Sequence, residues 1–347
     1  MSLKFPRDLD AWQAWDRGRH PVREVAARTR RSGSTGVWAA SSGPDPVVAV
    51  VLDDDRAASQ AALLEPLRHL PDVPALVLAP FDLTGLVPAE WTVEQRDGVH
   101  LGRDLPAGKV VLASGGPSPL ARAVHTQAQG RGTGYVVVQT GLLTPFSAPL
   151  PDGARVLTWT APEGEFWASG RDDVTATPVG SQLLWRAASR PAGVSDARRP
   201  LYLGQLQASE LPSAGMLRAA VTFCQTTHGV YRPHPAETGH LARMGHAALE
   251  GLGIEIDRSG TPLDRVNRPV ASAFSTGILE AAARGVPSYV WYPRAPSWLQ
   301  DLWGRYGMRP WGAERTPAPT LPRVEPARAV ADVVTSFLRP APAVARA

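Results

Sequence analysis

Three scarcities bound what this chain can be. It has one cysteine, Cys224, in 347 residues. No internal disulfide can form, and the length is ample for a buried core without staples. It has no run of 18 apolar residues, which argues against a transmembrane helix. Lysine is nearly missing: Lys4 and Lys109 are the only two among 36 Lys and Arg. With Ala, Gly and Pro abundant, this is the residue usage of GC-rich coding. The formal charge of +4 is therefore weak ground for nucleic-acid binding, and no basic patch interleaved with aromatics occurs. Met1 to His20 mixes charges and has no apolar core, so no secretory signal is expected. The expected location is cytoplasmic, and a positive surface allows peripheral contact with the inner membrane face.

What is there is alternation. Asp8 reads as an N-cap for an opening helix with Leu9, Trp12, Val22 and Val25 on one face. The loop Ser32-Gly33-Ser34-Thr35-Gly36 reads as a connector. From Val47 to Leu52 a continuous apolar run predicts a strand buried on both faces. Further strands are expected at 75–78, at 91–94 on an edge, and at 109–113, 135–139, 156–159 and 174–179, with helices between them. Residues 189–199 lack apolar periodicity and read as a linker. The pattern restarts with strands at 201–206, 229–231, 254–256, 270–274 and 288–292, and ends in a helix near 326–338. The expected fold is α/β, with two Rossmann-like doubly wound domains facing a central cleft: 1–190 and 200–338.

Two strand-to-helix corners carry the chemistry. One is Tyr231-Arg232-Pro233-His234-Pro235, and the other is Ser272-Ala273-Phe274-Ser275-Thr276-Gly277. In such sheets ligands bind at the carboxyl ends of strands. A helix N-terminus there offers unpaired N–H groups to a phosphate. Prolines on both sides of His234 restrict its backbone, so the imidazole loses little entropy in donating to a leaving phosphate. Ser275 or Thr276 is an N-cap, phosphate ligand or both, and Glu280 lies one turn on, where it faces either a ribose or solvent. Asp53-Asp54-Asp55 end the first buried strand. They read as a solvated turn or as the source of a base, Asp53, for an acceptor hydroxyl. His234, His240 and His246 are spaced six apart and do not stack on a helix face, so no metal site is expected.

The segment from Leu201 to Tyr292 resembles the C-terminal domain of GT-B glycosyltransferases, in particular the bacterial sialyltransferase and CDP-glycerol glycerophosphotransferase-like group. The resemblance rests on His234-Pro235 in "YRPHP" and on "SAFSTGILEAAARGVP". It implies that His234, Ser275 and Thr276 serve the phosphate of a nucleotide donor, with cytidine as the base; Arg232, Pro235 and Gly277 beside them are expected to bind substrate. Such a donor is a substrate, so no separate cofactor is implied. The acceptor is then a glycan or a polymer of surface polysaccharide or teichoic-acid type. In the first half, "VVVQTGLLTPFSAPLPDGARVLTWTAPEGEFWASG" resembles the segment where relatives end a strand in a catalytic His-Gly pair. This chain has Thr140-Gly141. Ser181 lies in a Gly-Ser turn similar to one that faces the cleft in the family. A threonine hydroxyl is no general base near neutral pH. Two readings stay open: an active transferase, with Asp53 and Thr140 on the acceptor side, or a catalytically silent relative that binds nucleotide or glycan.

Overall fold

The computed structural model describes residues 2–19, 36–96, 110–192, 199–206 and 208–339. Val22, Val25, the loop at 32–35 and linker residues 193–198 lie outside the described residues. The chain divides into two units. The first comprises 2–141, 147–183 and the stretch from 322 onward. The second comprises 142–146 and 184–321. No helix among the described residues is long and apolar enough to cross a membrane.

The first unit opens with helix α1 (Leu9–Arg19), where Asp8 Oδ1 accepts the Ala11 N–H at 2.8 Å as the expected cap. Its sheet has eight strands: β1 (Val37–Ser41), β2 (Val48–Val51), β3 (Ala75–Ala79), β4 (Thr92–Arg96), β5 (Val110–Ala113), β6 (Gly134–Val138), β7 (Arg155–Thr158) and β8 (Thr175–Pro178). The spatial order is β4-β1-β3-β2-β5-β6-β7-β8. Strands β3, β2, β5, β6, β7 and β8 pair in parallel. The apolar runs of β2 and β5 are fully buried because both sheet faces are covered. Val48, Val50, Leu112 and Val136 face one core, and Ala49, Val51, Val111 and Ala113 face the other. The edges are polar. β4 carries Glu94 and Arg96, and β8 is exposed throughout and ends at Pro178. Charge and proline at an edge block pairing with another chain.

Helices α2 (Ala57–Leu63), α3 (Pro119–Gly130) and α4 (Ala161–Ala168) connect these strands. Helix α5 (Gln182–Ala188) leads from the first unit into the second. The second unit holds a four-stranded parallel sheet in the order β10-β9-β11-β12, built from β9 (Leu201–Leu203), β10 (Val230–Arg232), β11 (Val270–Ser272) and β12 (Ser288–Val290). Helices α6 (Ser213–Thr227), α7 (His240–Gly251), α8 (Thr276–Ala283) and α9 (Ser297–Arg305) alternate with the strands. Tyr202, Phe223, Cys224, Tyr231, Leu249 and Ile254 form the core on one side of this sheet. Burial pushes the Cys224 thiol up to about 12, so it behaves as a small apolar side chain and not as a nucleophile.

Three details differ from the sequence-based expectation. Residues 37–41, ahead of the first strand expected from the sequence, form β1, which runs antiparallel to both β3 and β4. The first sheet is therefore mixed at one edge instead of purely parallel. Residues 254–256 make only an isolated bridge, Ile256 to Tyr231. The last helix, α10 (Pro326–Leu338), was expected with the second half. It packs in the first unit, burying Val330, Ala331 and Val334 against the β2 and β5 face. Each fully buried valine contributes on the order of 1.5–3 kcal/mol relative to exposure, which fixes where the helix docks.

Candidate functional site

The sequence-predicted residues fall into two groups, one in each unit. In the second unit both corners lie at the carboxyl edge of the four-stranded sheet. The chain leaves β10 at Arg232 and turns at once. Glu237 N donates to the His234 carbonyl at 2.8 Å, and Ala236 N donates to His234 Nδ1 at 3.1 Å. An acceptor Nδ1 assigns the neutral tautomer with its proton on Nε2, a donor of the kind a phosphate needs. His234 is half-buried and Pro235 exposed. Arg232 turns the other way. Its guanidinium donates to the Thr261 carbonyl and lies 3.5 Å from Asp257 Oδ2, so it holds the loop after the Ile256 bridge.

The second corner leaves β11 at Ser272. Ser275 is the N-cap of α8, and its Oγ accepts the Gly277 N–H at 3.1 Å. Thr276 opens the helix, half-buried. Gly277 is required by close packing: a Cβ there would lie 2.6 Å from Leu263 Cδ2 and 2.8 Å from Leu203 Cδ1. Glu280 sits on the next turn. Burial, then the charge of Asp264, push its carboxyl up to about 7. β10 and β11 flank β9, so the two corners start about 10 Å apart, two strand spacings.

Sequence reasoning missed what ties these corners together. Gln205, just past β9, is buried. Its Oε1 accepts from Ser272 Oγ at 3.0 Å and from Phe274 N at 3.1 Å. Its neighbour Leu206 donates its N–H to Glu237 Oε1 at 3.0 Å. The Glu237 side chain is fully buried, and it also takes the Tyr231 hydroxyl at 2.9 Å and contacts His246 Nε2 at 2.8 Å. Gly204 lets the chain pass over Tyr231, since a Cβ there would collide with the phenol oxygen. A lone Gln or Glu in a polar loop carries no motif. The available signal was position, the first polar residue beyond an apolar strand.

In the first unit Asp53 follows β2, and the two serines of the β5–α3 loop close on it. Ser114 Oγ donates to Oδ2 at 2.9 Å and Ser118 Oγ donates to Oδ1. Burial raises the Asp53 carboxyl above the usual range, although both serines oppose the shift. Asp54 instead serves its own turn, accepting from Arg56 N and Ser59 Oγ. Thr140 and Gly141 follow β6, two strands from β2. Thr140 and Ser181 line one small cavity of about 10 Å³, room for about one water. Gln139, unforeseen from sequence, is the hub there. Its Nε2 donates to Gly141 O at 2.9 Å and Glu163 Oε2 at 3.1 Å, and its Oε1 accepts Trp159 N at 2.9 Å. Asp53 and Thr140 thus occupy separate places on the sheet edge.

Among the described residues no group of three or more His, Cys, Asp or Glu side chains is placed to hold a metal ion. No protein-family model and no curated protein matches the chain. The chain aligns with several solved structures, among them two transferases. The pneumococcal O-GlcNAc transferase GtfA, solved in complex with UDP and GlcNAc, aligns at 12% identity with a TM-score of 0.36. The alignment covers 73% of this chain and 57% of that one, just over half its length. A glycosyltransferase from Rickettsia africae aligns at 8% identity with a TM-score of 0.43, covering 85% of this chain and 89% of that chain.

Proposed function

We propose that the protein is a GT-B-like glycosyl or polyol-phosphate transferase using a nucleotide-activated donor. One observation carries this reading. A capped helix N-terminus and an imidazole with its proton on Nε2 lie at the same carboxyl edge of one parallel sheet. The N-terminus of α8 with Ser275 and Thr276 receives the donor phosphate. In glycosyl transfer, the bond between the sugar carbon and the phosphate oxygen breaks, and His234 gives its Nε2 proton to that oxygen. The acceptor oxygen forms the new bond to the sugar carbon, and its proton passes to water. In this proposal Glu280, one turn into α8, would meet the ribose. Helix dipole, imidazole and hydroxyls would stabilise the leaving phosphate without a metal. The donor base is cytidine in this proposal, and the acceptor is a glycan or surface polymer.

A thermal-shift panel of CMP, CDP, UMP, UDP and GDP tests it. A ligand at 100 times its Kd adds about 2.7 kcal/mol of stability. Cytidine nucleotides should raise the melting temperature most, and indifference to every nucleotide overturns the reading.

A second reading is a silent relative that binds donor or glycan without turnover. The narrow cavity at Thr140 favours it, since that position supplies a hydroxyl and no base. Donor turnover that appears only after Thr140→His supports this alternative, whereas turnover by the unaltered chain removes it.

A further inference from the structure

Both corners of the second unit are bonded to the loop after β9. Gln205 reaches one corner and Leu206 the other, with no residue between them. On the β11 side the Gln205 oxygen holds Phe274 N and Ser272 Oγ, one and three residues before Ser275. The one Ser272 hydroxyl proton is shared between Gln205 Oε1 and the Leu203 carbonyl, each 3.0 Å from Oγ, so β9 and β11 are held together at their ends. On the β10 side the Leu206 N–H ends on Glu237, the residue that closes the His234 turn. Gly204 N donates to the Arg232 carbonyl at 2.7 Å, which seats the same loop against β10.

We infer that residues 204–206 act as a two-way brace, with Gln205 and Glu237 as positioning residues that set the spacing between His234 and Ser275. The physical reason is burial. Both side chains are shielded from water, so neither can exchange a protein partner for solvent when the loop shifts. A displacement of Leu206 away from Glu237 drags Gln205, and with it the Phe274 amide. The corners therefore move together or not at all. Tyr231 and His246 hold the Glu237 carboxylate from behind and give it one orientation. That the braced corners serve a donor phosphate rests on the function proposed above, but the brace itself does not.

Amide hydrogen exchange tests the brace without any ligand. Glu237→Leu removes the acceptor of Leu206 N–H. Exchange should quicken about tenfold at Leu206 and also at Phe274, two strands away. Gln205→Leu should do the same in the reverse direction. The conservative Glu237→Gln keeps one oxygen for Leu206, and it should restore slow exchange at both amides. Quickening confined to Leu206 in Glu237→Leu overturns the brace. If the leucine variants unfold, Glu237→Gln and Gln205→Glu decide. Leu206 and Phe274 must then shift by the same factor, and a shift at one alone overturns it. CMP titration separates the two ideas. A wild-type chain that ignores every nucleotide sinks the transferase reading, while the amide pattern still decides the brace. Where CMP binds, Glu237→Leu should weaken it about tenfold and Glu237→Gln should recover it. Weakening without recovery, with both amides unchanged, counts against positioning.

Discussion

The Asp53 carboxylate and the Ser118 hydroxyl share one hydrogen bond across neighbouring strands β2 and β5, and the same hydroxyl caps α3 by accepting Ala121 N at 2.9 Å. One serine thus ends a helix and holds a raised-pKa acid. Ser118→Ala removes the cap and one of the two side-chain donors to Asp53, at a cost of about 2 kcal/mol. A urea unfolding midpoint unchanged by the substitution would show the pairing to be incidental.

Gln139 supports Trp159, Glu163 and Gly141 from one buried amide. Gln139→Leu conserves shape but leaves the Trp159 N–H without its acceptor, costing about 1–3 kcal/mol. Denaturant titration reads the loss. A neutral result would mean that water replaces the amide.

Glu280 gives a pH signature. Its carboxyl is raised from 4.5 to about 7, mainly by burial. Between those values the folded chain holds a proton that the unfolded chain has released, so stability falls as pH rises through the window. Glu280→Gln never carries the charge. Its melting temperature should exceed that of the wild type more at pH 8 than at pH 5. A constant difference between the two would show that the group titrates normally.

His234 is half-buried, its carbonyl takes the Glu237 N–H, and a Gln side-chain oxygen can replace Nδ1 as the acceptor of Ala236 N–H, so His234→Gln should fold. If the imidazole gives up a proton to the leaving phosphate, transfer drops by about 10²–10⁴-fold. Donor turnover at the wild-type rate would remove it from the chemistry.

Much of the fold was legible because the buried strands write themselves as runs such as Val47 to Leu52, and because Pro and Gly mark the corners. His234 and Ser275 could be placed at strand ends from the same punctuation. β1 was not legible: five residues beside an Arg-rich stretch and a Ser-Gly-Pro turn show too little alternation to separate strand from loop. Arg232 looked like a phosphate ligand beside His234, yet the Thr261 carbonyl and the Asp257 carboxylate engage its guanidinium. Gln139, Gln205 and Glu237 escaped notice because their importance comes from neighbours distant in sequence. The helix at 326–338 was recognised but assigned to the wrong sheet, since amphipathicity gives a face without naming its partner.

That final helix makes the N-terminal layer discontinuous. All eight strands of the first sheet, and then residues 184–321 of the second unit, precede the segment that seals Val48 and Leu112. A fragment stopping at residue 190 would leave a greasy seam open to water, so it should aggregate more readily than a chain that retains residues 326–338.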